Sequence, residues 1–162
     1  MYSIVLAVRD RRGCSPERPS GARTERDFFI QTHRRFIMPT VAVVGASNKP
    51  ERYSHQAVQK YRERGYTVWP VHPVGGVIAG LPAFTDLAHL PGRPDIVCMY
   101  VNPDAGLEML EQIVTCAPQI LWLNPGADGE PLASAARARG LKVVEACTLV
   151  VLGYGDPLQQ IT

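Results

Sequence analysis

Four residues behind a glycine could do chemistry here: Ser47, Asn48, Lys49 and Arg52, in the run Gly45-Ala46-Ser47-Asn48-Lys49-Pro50-Glu51-Arg52. The chemistry is anion binding. A hydroxyl, two cations and the backbone N–H groups of a turn suit a ligand with more than one phosphate. The run follows the apolar stretch 41–44 and precedes a helical pattern. It therefore reads as the turn from a buried strand into a helix, where free N–H groups and the helix dipole converge. Plainer readings stand beside this one. Ser47 and Ser54 have the chemistry of helix caps, and Lys49 and Arg52 that of solvated surface charges.

The loop is Gly-Ala-Ser rather than Gly-x-Gly-x-x-Gly, so a serine replaces the glycine that lets backbone approach a dinucleotide pyrophosphate. Val71-His72-Pro73 ends the second strand without the carboxylate that would bind an NAD ribose. No Gly-Lys-Ser/Thr closes the loop, so P-loop chemistry does not follow. Cys14, Cys98, Cys116 and Cys147 make no Cys-x-x-Cys pair and no zinc spacing. Cys98 and Cys116 are expected to be small core residues, and Cys147 a packed thiol with no base beside it. His33, His55 and His89 are separated along the chain and make no expected site. Asp128 and Glu130 are explained by the dipole of a following helix. No catalytic residue and no metal ligand is assigned.

The elements that must position these residues alternate. Strands are expected at 41–44, 67–71, 96–101, 120–123 and 142–144. Helices are expected at 54–64, 103–116 and 130–139, with an irregular connection from Ile78 and a short helix at 85–90. Asn102-Pro103 supplies an N-cap followed by a first-turn proline. Trp69 and Trp122 fall in strands and are core candidates. Short apolar strands alternating with helices predict an α/β, Rossmann-like, three-layer domain with a five-stranded parallel sheet. Right-handed crossovers are expected to give the order 3-2-1-4-5. The loops after strands one to four then open on the carboxyl edge.

Charge divides the chain. Residues 1–38 hold eight arginines against four acids, while nine basic and eleven acidic residues follow from Pro39 onward. The basic pI is a property of the leader, so it makes no case for nucleic-acid binding by the domain 39–162. The leader 1–38 reads as disordered, with a short helix possible near 28–37, or as a mis-annotated start. The favoured expectation is that Met38 is the true start. No apolar run reaches the length of a membrane span, and the thiols fit a reducing cytoplasm.

The runs 45–54, Gly65-Tyr66-Thr67-Val68-Trp69-Pro70-Val71-His72-Pro73, Asp95-Ile96-Val97, Leu121-Trp122-Leu123-Asn124-Pro125-Gly126 and Glu145-Ala146-Cys147-Thr148 resemble the small single-domain CoA-binding proteins. Their Rossmann-like domain is similar to that of the succinyl-CoA synthetase α subunit. The resemblance covers about residues 40–152. It implies that the backbone of Gly45, Ala46 and Ser47 holds the CoA phosphates, with Asn48 in the same loop. It implies that Lys49 and Arg52 neutralise charge. His72 and Pro73 would flank the adenosine, Val101, Asn102 and Pro103 would line the adenine side, and Asn124, Pro125 and Gly126 would face the pantetheine arm. The later phosphohistidine domain of the synthetase has no counterpart in this sequence, so ligase activity is not implied.

The resulting expectation is a cytoplasmic protein that binds coenzyme A or an acyl-CoA without catalysis of its own. Its partner would be the small molecule, with no nucleic acid and no membrane, and a homodimer is compatible. The alternatives are an NADP-linked reductase, an acyl-CoA-using transferase, or an interaction module that has lost its ligand.

Overall fold

The computed structural model describes residues 38–161. Expectations that fall on residues 1–37, including the leader, Cys14 and His33, lie outside the described residues.

The main sheet contains β1 (Thr40–Val44), β2 (Thr67–Val71), β5 (Ile96–Met99), β6 (Ile120–Leu123) and β7 (Val143–Glu145), all parallel. Side chains alternate along each strand, so both faces need cover. On one face Val41, Val43, Ile96, Cys98, Ile120 and Trp122 pack with Val58 and Tyr61 of α1 (Tyr53–Glu63) and Leu152 of α5 (Thr148–Tyr154). On the other face Ala42, Val44, Val97, Met99, Leu121 and Leu123 meet three helices. These are α2 (Pro103–Glu108), α3 (Leu110–Cys116) and α4 (Glu130–Ala138). The result is the expected Rossmann-like three-layer α/β domain.

The place of one strand differs from expectation. The sheet order is β2-β1-β5-β6-β7, so the five parallel strands run 2-1-3-4-5 rather than 3-2-1-4-5. The Ile96 strand pairs with β1, Val41 opposite Ile96 and Val44 opposite Met99. The reason lies at the free edge of β2. There a small hairpin, β3 (Gly76–Ile78) and β4 (Leu81–Ala83), leads into Phe84. The Phe84 N–H donates to Pro70 O at 2.8 Å and its carbonyl accepts from His72 N at 2.9 Å. That edge is therefore occupied. The hairpin replaces the irregular connection expected from Ile78. Its turn residues Ala79 and Gly80 have φ of 49° and 77°, the twist a two-residue hairpin needs.

Three further differences are local. The expected helix 103–116 is interrupted at Met109, although Met109 N still donates to Ala105 O at 3.2 Å. The expected short helix at 85–90 is a 3-10 turn, Leu87–His89, capped by Asp86. Helix α5 was not expected at all. Its sequence Thr-Leu-Val-Val-Leu-Gly-Tyr is a β-branched apolar run that local preference does not mark as helical.

Candidate functional site

The β1–α1 loop sits at the carboxyl edge of the sheet. Gly45 has φ of 79°, and a Cβ there would lie 2.9 Å from Val101 Cγ1 and 3.1 Å from the Tyr100 carbonyl carbon. The glycine is thus demanded by close packing of the loop on the end of β5. The Gly45 and Ala46 N–H groups both donate to Val71 O, at 3.0 and 3.2 Å. They pin the loop to β2. Ala46 is fully buried.

The open donors begin one residue later. The N–H groups of Ser47 and Asn48 have no partner among the described residues. Ser47 Oγ accepts from Lys49 N at 3.2 Å, which leaves its own proton to donate outward. The chain then turns, Arg52 N donating to Lys49 O at 3.0 Å, and α1 starts. Arg52 is the N-cap residue and offers no side-chain bond to the helix. The first-turn N–H groups of Tyr53 and Ser54 likewise have no partner among the described residues. Lys49 and Arg52 are exposed, and neither side chain has an ion pair among the described residues.

His55, which sequence spacing left without a role, is buried under this loop. Its Nδ1 lies 2.9 Å from Ser47 O. A carbonyl only accepts, so Nδ1 carries the proton in this bond. A histidine at the third position of the helix, eight residues from the serine, is the pattern that points to it.

His72 stands across the edge. Val74 N donates to His72 Nδ1 at 3.2 Å, so the neutral ring carries its proton on Nε2. His72 and Asn48 share a cavity of about 250 Å³ with Val74, Val77 and the glycines between them. Val74 and Val77 are exposed apolar residues, and they have no expected role in the sequence reading. Pro73 is exposed beside them.

The remaining expected residues share the edge but differ in how they are used. Val101 packs on Gly45. Asn102 Oδ1 accepts from Ala105 N at 2.8 Å, so its side chain caps α2, and Pro103 occupies the first turn. Pro125 and Gly126 form an exposed turn closed by Gly126 N donating to Asp128 Oδ1 at 2.7 Å. Asn124 is turned inward and is 1% exposed. Its Nδ2 donates to Met99 O at 3.1 Å and lies 3.2 Å from Cys98 Sγ, while its Oδ1 accepts from Thr148 N at 2.8 Å. It ties β5, β6 and α5 together beneath the edge. Burial pushes the Cys98 thiol up from 9.0 to about 11, against hydrogen bonds from Thr148 and Asn124 that lower it. Among the described residues no cluster of His, Cys, Asp and Glu could hold a metal.

A turn with open N–H groups, two cations without an ion pair among the described residues and a neighbouring cavity thus lie at one sheet edge. Residues 39–153 match the family model described as CoA binding domain. The chain belongs to the CoA binding domain family. The uncharacterized protein YneT of Bacillus subtilis (strain 168) is 26% identical over 104 residues, 64% of this chain and 77% of that protein. A solved Thermus thermophilus protein is 29% identical with a TM-score of 0.66, covering 80% of this chain and 93% of that one. A dinucleotide forming acetyl-coenzyme A synthetase 1 of Ca. Korarchaeum cryptofilum, solved with phosphate and ADP, has a TM-score of 0.56 at 22% identity. This chain covers 25% of that enzyme, and the likeness carries the fold alone. No helix among the described residues of this CoA-binding-family chain is long and apolar enough to cross a membrane.

Proposed function

We propose that the chain binds coenzyme A or an acyl-CoA at the carboxyl edge, as a single domain in a reducing cytoplasm, without catalysis of its own. One observation carries the reading: at the start of α1, which has no side-chain cap, the N–H groups of Ser47 and Asn48 and the cations Lys49 and Arg52 lie together, all without a hydrogen-bond or ion-pair partner among the described residues. Phosphates are the ligands that such a start attracts. The N–H groups of Ser47, Asn48, Tyr53 and Ser54 and the Ser47 hydroxyl would take the phosphate oxygens. His72 and Pro73 would flank the adenosine in the 250 Å³ cavity. The edge at Val101, Asn102 and Pro103 would line the adenine side, and the turn at Pro125 and Gly126 would face the pantetheine arm. Gly45 and Ala46 would act by fixing the loop, and Asn124 by fixing the strands beneath it. The thiol under the edge, Cys98, is fully buried and held protonated at neutral pH, so it is not assigned a nucleophile's role.

The test is thermal shift and calorimetry with CoA, acetyl-CoA, NAD and NADP. A ligand at 100 times its dissociation constant stabilises a fold by about 2.7 kcal/mol. Stabilisation by CoA and acetyl-CoA is expected. Stabilisation by NADP alone would replace this reading with that of a reductase.

A further inference from the structure

A second cavity, of about 420 Å³, lies between the 3-10 turn Leu87–His89 with the loop after it and helix α3. Its volume falls in the range of roughly 300–1,000 Å³ seen for small-molecule clefts. It is remote from the phosphate loop. Arg93 lies three residues before β5, and Cys116 ends α3 four residues before β6. Both therefore stand at the amino edge of the sheet, whereas residues 45–52 stand at the carboxyl edge.

The walls of this cavity are of two kinds. Leu87, Leu90, Pro91 and the half-buried Cys116 give an apolar floor. Burial raises the Cys116 thiol above its ordinary value, with the Arg93 guanidinium offsetting part of the shift, so the group stays protonated at neutral pH and acts as wall. The rim holds two charged lining residues, Arg93 and Glu111. The Glu111 carboxylate is taken by Arg139, whose guanidinium holds it below the usual carboxylate range. The Arg93 guanidinium has no ion pair or hydrogen bond among the described residues, although its carbonyl accepts from the Thr40 hydroxyl at 3.3 Å. The slot thus has an apolar floor, with Gln112 and Thr115 also on its lining, and at its mouth a guanidinium without a partner among the described residues.

The geometry points to a binding site for a small amphipathic monocarboxylate, such as a medium-chain fatty acid. Its acyl chain would cover the leucines, Pro91 and Cys116, and its carboxylate would meet the Arg93 fork. An inorganic phosphate would set hydrated oxygens against the apolar floor. An alkylammonium ion would bring a second cation to Arg93. A neutral alcohol would leave the guanidinium without its counter-ion. This site is independent of the CoA reading.

The experiment titrates the full ¹⁵N-labelled chain with octanoate, octanol and octylammonium, following backbone amide shifts. Octanoate is expected to move residues 87–93 and 110–116 in a saturable way and to bind about tenfold more tightly than octanol. Arg93→Gln, at an exposed position, should bring octanoate down to the octanol level and leave octanol unchanged. Leu90→Ser should weaken both. Shifts induced by CoA at residues 45–55 should be the same in Arg93→Gln as in the parent, which keeps the two sites' outcomes apart. The proposal is overturned if octanoate and octanol bind equally, if Arg93→Gln binds octanoate as the parent does, or if octanoate shifts centre elsewhere or do not occur.

Discussion

The Nδ1 of His55 lies 2.9 Å from the carbonyl oxygen of Ser47, a bond from the first turn of α1 back into the loop that precedes it. It closes a ring. At one end the loop is held to β2 through Val71 O, which accepts from Gly45 and Ala46. At the other end it is held to the helix through His55. Between these two fixings lie Ser47 and Asn48, whose N–H groups are unpartnered among the described residues. With the Ser47 carbonyl drawn toward the helix, the following Asn48 N–H, part of the same planar peptide, is directed the opposite way. The bond therefore orients a donor that the proposed phosphate site uses.

His55→Leu should weaken CoA binding because it releases the Ser47 carbonyl. The free protein should lose about 1 kcal/mol, the worth of one ordinary hydrogen bond. His55→Asn places an amide donor in reach of the same carbonyl and should recover part of the affinity. Calorimetry on the three proteins checks the order parent, then Asn, then Leu. If the Leu variant binds as the parent does, the histidine serves packing alone.

Arg52→Glu should weaken CoA binding by about 1–2 kcal/mol and flatten its salt dependence, because a screened attraction becomes a repulsion. Melting of the free protein should barely change, since Arg52 is exposed and caps nothing with its side chain. Affinities measured at low and high salt decide this. Parallel salt slopes in parent and variant would return Arg52 to the solvated surface.

Much of this site was legible in the sequence, and the parts that were not share a cause. The strand–loop–helix from Thr40 to Glu63 follows from a short apolar run, a glycine and a 3.6-residue pattern, all local. So does the Asn102-Pro103 cap, where Oδ1 does bond the N–H three residues on. What escaped depends on partners far along the chain. The Gly45 and Ala46 amides look free until Val71 O arrives beside them. Asn124 looks like a ligand-facing turn residue until Thr148 and Met99 claim both ends of its amide. Strand order turned on Phe84, one residue after a three-residue strand, taking the β2 edge that the Ile96 strand was expected to line.

Alkali should destabilise the fold through Cys98. Its thiol is raised by burial from 9.0 to about 11, so the neutral form is the one the fold favours. That contribution is complete below about pH 9 and is lost as pH rises through about 11. It amounts to about 2–3 kcal/mol. Tyr66 and Tyr100 are also raised by burial, from 10.0, and act toward the upper end of the same range and above it. Urea midpoints at pH 8 to 11 for the parent and Cys98→Ala separate the thiol from the tyrosines. The stability gap between the two proteins should narrow as pH rises. A constant gap would mean that the thiol does not titrate in this window.

Gly45 and Gly126 make a matched pair for the last prediction. Both have positive φ, 79° and 90°, and an alanine in that region costs about 1–2 kcal/mol. At Gly126 an added Cβ meets nothing within 4 Å, so Gly126→Ala should cost that amount and no more. At Gly45 the added carbon meets Val101 Cγ1 at 2.9 Å and the Tyr100 carbonyl carbon at 3.1 Å. The valine methyl can move, but the Tyr100 backbone at the end of β5 cannot without disturbing its bond to Val44 O. Gly45→Ala should therefore cost about 2–4 kcal/mol, from backbone strain and overpacking together. The larger Gly45→Val should be worse, and any loss of CoA binding in it would first report a displaced loop. Urea unfolding of the two alanine variants gives the comparison directly. Equal losses would show that the loop yields around a Cβ. The tight approach of Gly45 to β5 would then not be what fixes the β1–α1 loop.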